Sequence, residues 1–328
     1  MKKLKFSILT PTFNRQSFLV NLIESINNQT FRHFEWIVAN DGSTDNTDAY
    51  LTEQINDLSF PVKYIASNKR IGKSMIDNIL LDNAEGDYIL WCDSDDFLNE
   101  DTLELINSFI ELNSYLTPEP IGIIGQNLNT KGVSQTFDIR KPLPDDGIYV
   151  WDNLKEFVIG DGTICVKSEI YKENRFPEVD FLAHEGILLE KIFKKHNFYL
   201  TTRVLKIMDR TAENSVTHGK KIEYARGSAY AIRKTISINN FIELSLKQKI
   251  FCVLNYFRYS LHGDVQMRQI LEKWEVLRRL PIFILIMPFS ILVCLRDRLL
   301  NKVVKTHIEF EKNKNTFSLK VITNDYFS

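Results

Sequence analysis

The stretch Tyr88-Ile89-Leu90-Trp91-Cys92-Asp93-Ser94-Asp95-Asp96 places an apolar run directly before a cluster of three aspartates. An apolar run of this length is typical of a buried β-strand, so the aspartates are expected at the carboxyl end of that strand. Carboxylates held so close repel one another, and a hard divalent cation such as Mg²⁺ or Mn²⁺ relieves that repulsion. An acidic helix cap is the simpler interpretation of the same residues. The stretch therefore predicts a strand that ends in a polar site.

Short apolar runs alternate with helical patterns in the chain before this stretch. The runs at residues 6–9, 36–39 and 62–66 are predicted as strands, and apolar residues between them recur at the spacing of one helical face. This alternation predicts an α/β fold, with a Rossmann-like, mostly parallel sheet and helices on both faces. Short mixed strands are expected after residue 115, and a helical pattern follows residue 217.

Polar loops follow several of the predicted strands. In an open parallel sheet, the loops at the carboxyl ends of the strands converge on one crevice, where ligands bind. Four distinctive loops fall there, at residues 10–15, 40–45, 68–73 and 93–96. We therefore expect side chains that are distant in the sequence to form a single site.

Two residues of these loops suit a nucleotide ligand. The carboxylate of Asp41 only accepts hydrogen bonds, so it suits the imide N–H of a base and would repel a phosphate. Lys73 stands beside Gly72 at a predicted helix start, which favours contact with a phosphate. A solvated surface charge is the alternative for Lys73. Ser43 or Asp45 is expected to cap the helix that follows.

Composition and charge exclude several classes of protein. The chain has 328 residues, with 41 Lys and Arg against 42 Asp and Glu, so no basic field indicates a nucleic-acid partner. The GxGxxG motif of dinucleotide-dependent dehydrogenases is absent after the first predicted strand. The four cysteines show neither zinc-site spacing nor a disulfide framework, which favours the reducing cytoplasm. The N-terminus lacks the pattern of a secretory signal, so export is not expected.

Residues 280–295 form an uncharged apolar run that arginines and lysines flank on both sides. The run is shorter than the about 20 residues that a spanning helix needs, and Pro281 and Pro288 interrupt it. We interpret it as an interfacial or re-entrant segment whose flanking cations suit an anionic leaflet. A buried helix pair packed on the predicted α/β domain is the alternative.

Four motifs, in this order and at this spacing, resemble those of family 2 glycosyltransferases of the GT-A fold, as in bacterial surface-polysaccharide biosynthesis. The motifs are Thr10-Pro11-Thr12-Phe13-Asn14-Arg15, Asn40-Asp41-Gly42-Ser43-Thr44-Asp45, Gly72-Lys73 with Asn78, and Gly86-Asp87 leading into Asp93-Ser94-Asp95-Asp96-Phe97. The resemblance covers about residues 4–217. It implies a nucleotide-sugar donor and a divalent metal, Mn²⁺ or Mg²⁺.

The resemblance also implies roles for individual residues. Pro11, Phe13 and Asp41 are expected to hold the base, often uracil. Asp93 is expected near the ribose and the metal, and Asp95 is expected to be the main metal ligand. The full nucleotide-sugar-binding set comprises Thr10, Pro11, Thr12, Phe13, Arg15, Asp41, Ser43, Lys73, Asn78, Asp93 and Ser94. The chain has Ile76-Asp77-Asn78 where many relatives carry Ala-Arg-Asn, and a UDP-sugar is the expected donor.

An inverting transfer requires a base that deprotonates the acceptor hydroxyl as it attacks the anomeric carbon. In relatives this base is an acidic residue at a helix start, and the segment at residues 181–186 is similar, so Glu185 is the expected base. Its alternatives are Glu178, Asp180 and Glu190, and a first-turn glutamate also favours a helix dipole without any chemistry.

Further residues are expected around the acceptor and the diphosphate. His184 and Asp161 are expected on the acceptor side, although a tight turn explains Asp161 equally well. Arg210 and His218 flank residues 214–215, which are expected to belong to a loop that closes over the diphosphate or to lie at the surface.

The expected organisation is a catalytic domain at residues 1–217 and a helical region at residues 218–328. The first domain divides into a nucleotide-sugar half at about 1–98 and an acceptor half at about 99–217. The expected function is transfer of a sugar to a glycan or lipid-linked saccharide in the synthesis of capsule, O-antigen or exopolysaccharide. The chain is expected in the cytoplasm, peripheral or monotopic on the inner face of the cell membrane, with no nucleic-acid partner.

Two other functions use the same features. A non-catalytic, membrane-associated scaffold would keep the fold and lose turnover. A phosphatase could use Asp93 and Asp95 as nucleophile and acid, but that class requires a hydroxyl residue where Phe97 stands.

Overall fold

The computed structural model describes residues 4–138, 140–158, 160–179, 181–211, 225–236, 238–263, 265–274, 276–277, 283–300 and 317–324. The strands are β1 Phe6–Thr12, β2 Phe34–Asn40, β3 Val62–Ser67, β4 Tyr88–Trp91, β5 Asp96–Leu98, β6 Gly122–Asn129, β7 Gly147–Tyr149, β8 Thr163–Lys167, β9 Phe198–Met208 and β10 Leu319–Thr323. The helices of the first part are α1 Gln16–Asn27, α2 Thr47–Gln54, α3 Lys73–Asn83, α4 Thr102–Asn113, α5 Trp151–Phe157, α6 Ser168–Glu173 and α7 Gly186–Phe193. Those of the second part are α8 Ala225–Thr235, α9 Ile238–Glu243, α10 Leu246–His262, α11 Met267–Lys273 and α12 Phe283–Leu299.

The strands form one mixed sheet in the order β10-β3-β2-β1-β4-β8-β6-β9-β5, with β7 paired to β9. The neighbours β3, β2, β1 and β4 run parallel, as the alternation of strands and helices in their sequence predicts. Antiparallel pairs join β4 to β8, β8 to β6, β9 to β5 and β7, and β3 to β10, whereas β6 and β9 run parallel. The expectation of a mostly parallel sheet therefore holds for the four strands β3, β2, β1 and β4, and the sheet as a whole is mixed.

Helices cover both faces of this sheet, because successive residues of a strand point to opposite sides. Ile8 and Leu90 belong to one buried cluster, which α1 and α4 cover with residues such as Leu22 and Ile106. Their strand neighbours belong to a second cluster, which is covered by α3, α6 and α7. The predicted α/β arrangement of layers is confirmed.

Two compact units divide the chain differently from the boundaries expected from its sequence. One unit comprises Met1–Phe176, Leu188–Ala212 and Asn313–Ser328, and the other comprises Pro177–Ile187 and Glu213–Lys312. The C-terminal region is thus not helical throughout, because β10 pairs antiparallel with β3 in the first unit. Asn324 adds two side-chain hydrogen bonds to the pairing of β10 with β3. Its Nδ2 donates to the carbonyl of Phe60 at 2.8 Å, and its Oδ1 accepts from the amide of Val62 at 3.1 Å.

The second unit is helical and has a core of its own. Trp274, Phe241 and Phe257 are fully buried there, together with residues of α8, α10 and α12. Residues 280–282 of the apolar run lie outside the described ranges, and the remainder of the run belongs to α12, which continues through Pro288. Within the described ranges, no helix combines the length and the apolar character that a membrane crossing requires.

Candidate nucleotide-sugar site

The carboxyl ends of β1, β2 and β4 lie side by side and bring three of the predicted loops together. The register pairs Thr12 with Asn40 and Leu9 with Trp91. The amide of Asp41 donates to the carbonyl of Thr12 at 2.9 Å, and the amide of Cys92 donates to the carbonyl of Leu9 at 3.0 Å. Loops that lie far apart in the sequence therefore share one edge of the sheet.

Asn14 ties the first loop to the second. It adopts a left-handed backbone conformation with φ of 53°, which asparagine tolerates better than most residues. Its amide donates to Ser43 Oγ at 2.9 Å, and its Oδ1 accepts from the amide of Thr44 at 2.8 Å. Ser43 is thus committed to holding the loops together, whereas Asp45 Oδ1 accepts from the amide of Thr47, the first residue of α2, at 3.0 Å.

Asp41 is buried and lies against the third loop. Its Oδ1 accepts from the amide of Ile71 at 2.6 Å, and both of its oxygens lie 3.1 Å from the amide of Gly72. Burial raises the pKa of Asp41 to about 6, although these amides and the charge of Arg70 act in the opposite direction. A carboxylate offers about four acceptor positions, so it has capacity for one more N–H donor from a ligand.

Arg70 occupies the space beside the two residues expected to hold a base. Its guanidinium lies 3.9 Å from the ring centroid of Phe13, and its Nε lies 3.9 Å from Asp41 Oδ2. A planar cation over an aromatic ring forms a flat, partly apolar surface of the kind on which a base stacks. In the sequence Arg70 is only a charged residue of the loop at 68–73, and the structure alone shows its stacked position.

The three aspartates after β4 have different surroundings. Asp96 is buried, and its Oδ2 lies 2.7 Å from Lys206 Nζ, which is buried on β9. The side chains of Asp93 and Asp95 are partly exposed, so only these two of the three carboxylates can reach a ligand. The sequence did not indicate Lys206, because lysines are usually exposed and nothing in the sequence pairs β9 with β5.

Several cations lie around the two accessible aspartates. Lys73 Nζ lies 3.8 Å from Asp93 Oδ1 and 3.2 Å from Asp77 Oδ2 on its own helix. Arg15 Nε lies 4.0 Å from Asp95 Oδ2. The buried carboxylate of Asp77 therefore holds the ammonium group of Lys73 beside Asp93.

Arg210 is a further cation whose charge acts on Asp93. Its Nη2 donates to Asp161 Oδ2 at 2.6 Å, and the amide of the preceding Asp209 donates to the carbonyl of Asp95 at 3.2 Å. Asp161 is exposed and is joined to the site through Arg210. His218 and residues 214–215 lie outside the described residues.

The charges of this group shift the titration of its members. Burial and the charge of Asp93 raise the pKa of Asp95 above its usual value. Burial also raises the pKa of Asp93, but the charges of Lys73, Lys206 and Arg210 outweigh it, so this pKa lies below its usual value. The raised pKa of Asp95 thus reflects its burial and its repulsion by the neighbouring carboxylate of Asp93. A bound cation would reduce that repulsion.

Other predicted residues support the site or lie beside it. Thr10 is fully buried and donates to the carbonyl of Cys92 at 2.8 Å, so its role is to join β1 to the end of β4. Thr12 is also buried, and its Oγ1 has no hydrogen-bond partner among the described residues. Asn78 exchanges two hydrogen bonds of 3.1 Å with the backbone of Phe176, which commits its side chain to the fold. Ser94 is buried beside Asp93.

The donor set fits a hard divalent cation. In the described part of the chain, no three His, Cys, Asp or Glu side chains form a group that could hold a metal ion. Mg²⁺ and Mn²⁺ nevertheless bind through one or two carboxylates when substrate phosphates supply further oxygens. Asp93 and Asp95 match that pattern, since both are accessible and the charge of Asp93 raises the pKa of Asp95.

The residues predicted for the acceptor side belong partly to the other unit. Glu185 and His184 are exposed residues immediately before α7, in the segment assigned to the second unit. His184 Nε2 lies 3.4 Å from Ser228 Oγ of α8 in that unit. Of the alternative bases, Glu178 lies in the same segment, Glu190 lies on α7 in the first unit, and Asp180 lies outside the described residues.

Comparison with solved structures identifies the fold. The chain matches the crystal structure of Staphylococcus aureus TarS, residues 1–349, in complex with UDP-GlcNAc. The TM-score is 0.60 at 15% identity, and the match covers 95% of this chain and 97% of that chain. The predicted GT-A fold is thereby confirmed.

Comparison of sequences then identifies the family. The model of Glycosyl transferase family 2 matches residues 7–174, about half of the chain, and the chain belongs to this family. Among similar curated proteins is the GalNAc(5)-diNAcBac-PP-undecaprenol beta-1,3-glucosyltransferase of Campylobacter jejuni, 27% identical over 220 residues, with 66% of this chain and 68% of the relative covered. Another is the poly(ribitol-phosphate) beta-N-acetylglucosaminyltransferase TarS of Staphylococcus aureus, 32% identical over 135 residues, with 40% of this chain and 23% of the relative covered. This chain thus spans about two thirds of the first relative and about a quarter of the second.

Proposed function

We propose that the chain is an inverting, metal-dependent glycosyltransferase that moves a sugar from a UDP-sugar to a glycan or lipid-linked saccharide. The observation that carries this proposal is the convergence of Asp41, Lys73, Asp93 and Asp95 at adjacent strand ends of a family 2 transferase. The solved TarS complex contains UDP-GlcNAc, and the Campylobacter relative is named for an undecaprenol-linked substrate, which supports these classes of donor and acceptor.

The base of the donor is proposed to stack on the surface that Phe13 and Arg70 form together, with its edge toward Asp41. Stacking on the Phe13 and Arg70 planes is tolerant of the base, so selectivity for uracil would come from Asp41. An ionised Asp41 accepts a hydrogen bond from the imide N–H of uracil, and the amides of Ile71 and Gly72 hold its oxygens in place. The buried hydroxyl of Thr12 offers a further polar contact at the same strand end.

The diphosphate of the donor is proposed to lie over the end of β4. Asp93 and Asp95 would hold Mn²⁺ or Mg²⁺, which when bound stabilises the negative charge of the departing diphosphate. Lys73 contributes a cation at the start of α3, and Asp77 keeps its ammonium directed toward Asp93. Arg210, anchored by Asp161, adds a second cation to the same group.

The acceptor hydroxyl is proposed to lose its proton to Glu185. This residue is exposed and immediately precedes α7, and the sequence resemblance implies a base at a helix start. A carboxylate at this position has the chemistry to accept a proton from an attacking hydroxyl, as a general base must. His184 and Asp161 are proposed to line the acceptor side.

Synthesis of a bacterial surface polysaccharide at the inner face of the cell membrane is the proposed setting. The apolar α12 and the undecaprenol-linked substrate named for one relative support it.

Calorimetric titration with UDP, with and without Mn²⁺, tests the donor site. We expect Mn²⁺ to strengthen UDP binding and Asp95→Ala to remove that gain, because Asp95 is the proposed main ligand. Asp145→Ala, a change of an exposed aspartate on another loop, is the matched control and should leave binding unchanged. Metal-independent binding in both proteins would contradict the metal role, and the absence of UDP binding would favour the scaffold.

A further inference from the structure

Helix α12 has one face that belongs to the core of the second unit. Ile286, Ser290, Cys294 and Asp297 recur at intervals of three or four residues and are buried. Arg258 of α10 donates from Nε to Asp297 Oδ2 at 2.6 Å, and His262 Nε2 lies 3.3 Å from the same oxygen. Helix α12 therefore packs in its unit through this inner face.

The opposite face of α12 is apolar and exposed. We call it the outer face and define it by Leu285, Phe289, Leu292 and Leu299, which recur at helical spacing. The exposed fraction is 73% for Leu285, 62% for Phe289 and 61% for Leu292. Large apolar side chains that lie together on one surface mark sites of contact with a protein or a membrane.

Charge distinguishes between these two kinds of contact. The acidic residue of α12, Asp297, is fully buried on the inner face. Arg296 and Arg298 lie in the last turn and are exposed. The accessible surface of α12 is thus apolar along its length and cationic at its end, the combination with which helices lie on anionic bilayers. The same face of a second copy would bring no acidic side chain of α12 to these arginines.

We propose that the outer face of α12 is the surface through which the chain lies on an anionic lipid bilayer. Its apolar side chains would enter the boundary between headgroups and acyl chains, while Arg296 and Arg298 would contact anionic headgroups. This inference deepens the proposed function and rests on it for one point only, that a lipid-linked acceptor is met at such a surface.

Sedimentation of the full-length chain with vesicles tests the proposal. We expect binding to vesicles of phosphatidylcholine mixed with phosphatidylglycerol, and weaker binding to phosphatidylcholine alone. The double change Phe289→Ser and Leu292→Ser should weaken partitioning by about tenfold or more, since each side chain gives up a buried apolar contact. Arg298→Gln should reduce partitioning roughly fivefold on the anionic vesicles only.

A matched control separates this face from general surface hydrophobicity. Leu112 of α4 is 74% exposed, so Leu112→Ser removes a leucine as accessible as Leu285 from the other unit and should leave partitioning unchanged. UDP titration of every variant distinguishes the two proposals, since the outer-face variants should bind UDP like the parent chain. Equal sedimentation of the parent and the double variant would overturn the inference. The inference would also be overturned if the parent chain did not bind vesicles but formed an oligomer that the double variant does not form. The outer face would then join two copies of the chain.

Discussion

The Nζ atom of Lys206 lies 2.7 Å from the Oδ2 atom of Asp96, and both side chains are almost completely enclosed by protein. This pair joins the strand after the aspartate cluster to β9 and removes Asp96 from the group that can reach a ligand. The site is therefore built on two carboxylates, with the third neutralised by its own lysine.

Lys206→Met should lower the free energy of unfolding by about 3–5 kcal/mol, because it leaves the carboxylate of Asp96 buried without its partner. Asp96→Asn combined with Lys206→Met should recover most of that loss, since no charge then remains buried. Urea denaturation measures both. Lys194→Met, which breaks the more exposed pair with Glu190, is the control and should cost no more than about 1 kcal/mol. Equal losses in the two single variants would show that the buried pair has no special role.

Binding of the base should depend on pH. Burial raises the pKa of Asp41 from 3.8 to about 6. The folded protein therefore holds the proton more firmly than the unfolded chain between these values, and this group's contribution to stability falls as pH rises through that window. Since the imide N–H requires the ionised form, affinity for uridine should fall by up to roughly tenfold per pH unit below about 6.

Uridine suits this measurement because it carries no phosphate and needs no metal. Ligand-observed NMR across the pH range should show the decline for the parent chain and a weaker, flat profile for Asp41→Asn. An unchanged slope in the variant would assign the titration to another group.

Glu185→Gln should lower kcat by about 10²–10⁴-fold and leave UDP binding intact, because the base acts on the acceptor and not on the donor. Glu178→Gln and Glu190→Gln are the matched variants, since each removes an alternative base. Transfer assays with the donor and acceptor that the chain proves to use, together with UDP calorimetry, separate the roles. Full activity in Glu185→Gln, with loss in one of the other two, would move the base to that residue.

Gly42→Ala should destabilise the loop that carries Asp41. Gly42 has φ of 65°, and an added Cβ would lie 2.4 Å from the backbone carbon of Lys69. We expect a cost of about 2 kcal/mol or more in urea denaturation, with weaker UDP binding. At Gly147 the nearest atom to an added Cβ is 3.8 Å away, so Gly147→Ala should be nearly neutral. Similar stability of the two variants would contradict the close approach.

The parts of the site that the sequence predicted are those carried by contiguous residues. The run at residues 88–92 and the aspartates after it are adjacent in the chain, so their placement at a strand end followed from local pattern alone. The same holds for Asp41 after β2 and for Lys73 at the start of α3. The convergence of loops at the carboxyl ends of parallel strands then predicted that these loops form one site, and the strand register confirms that the loops after β1, β2 and β4 are neighbours.

The features that the sequence did not predict depend on pairing across long separations. Nothing local marks Lys206 as buried, since its partner lies on a strand that is distant in the sequence. The stacking of Arg70 on Phe13 and the hydrogen bonds that commit Asn78 to Phe176 also appear only when the fold is complete. The strand Leu319–Thr323 was not predicted from the sequence, because it is short and its partner β3 lies far away in the chain.

That last strand makes the helical unit an internal insertion of the first unit and not a removable tail. Deleting everything after residue 212 would strip β10 from β3, expose the unpaired N–H and C=O groups of β3 and offer them to other chains for edge-to-edge aggregation. Loss of activity in such a truncated chain would say nothing about the helices. Their contribution has to be judged by excising residues 213–312 alone and rejoining the chain ahead of Phe317, so that Glu185 is kept and Asn324 still closes the sheet edge.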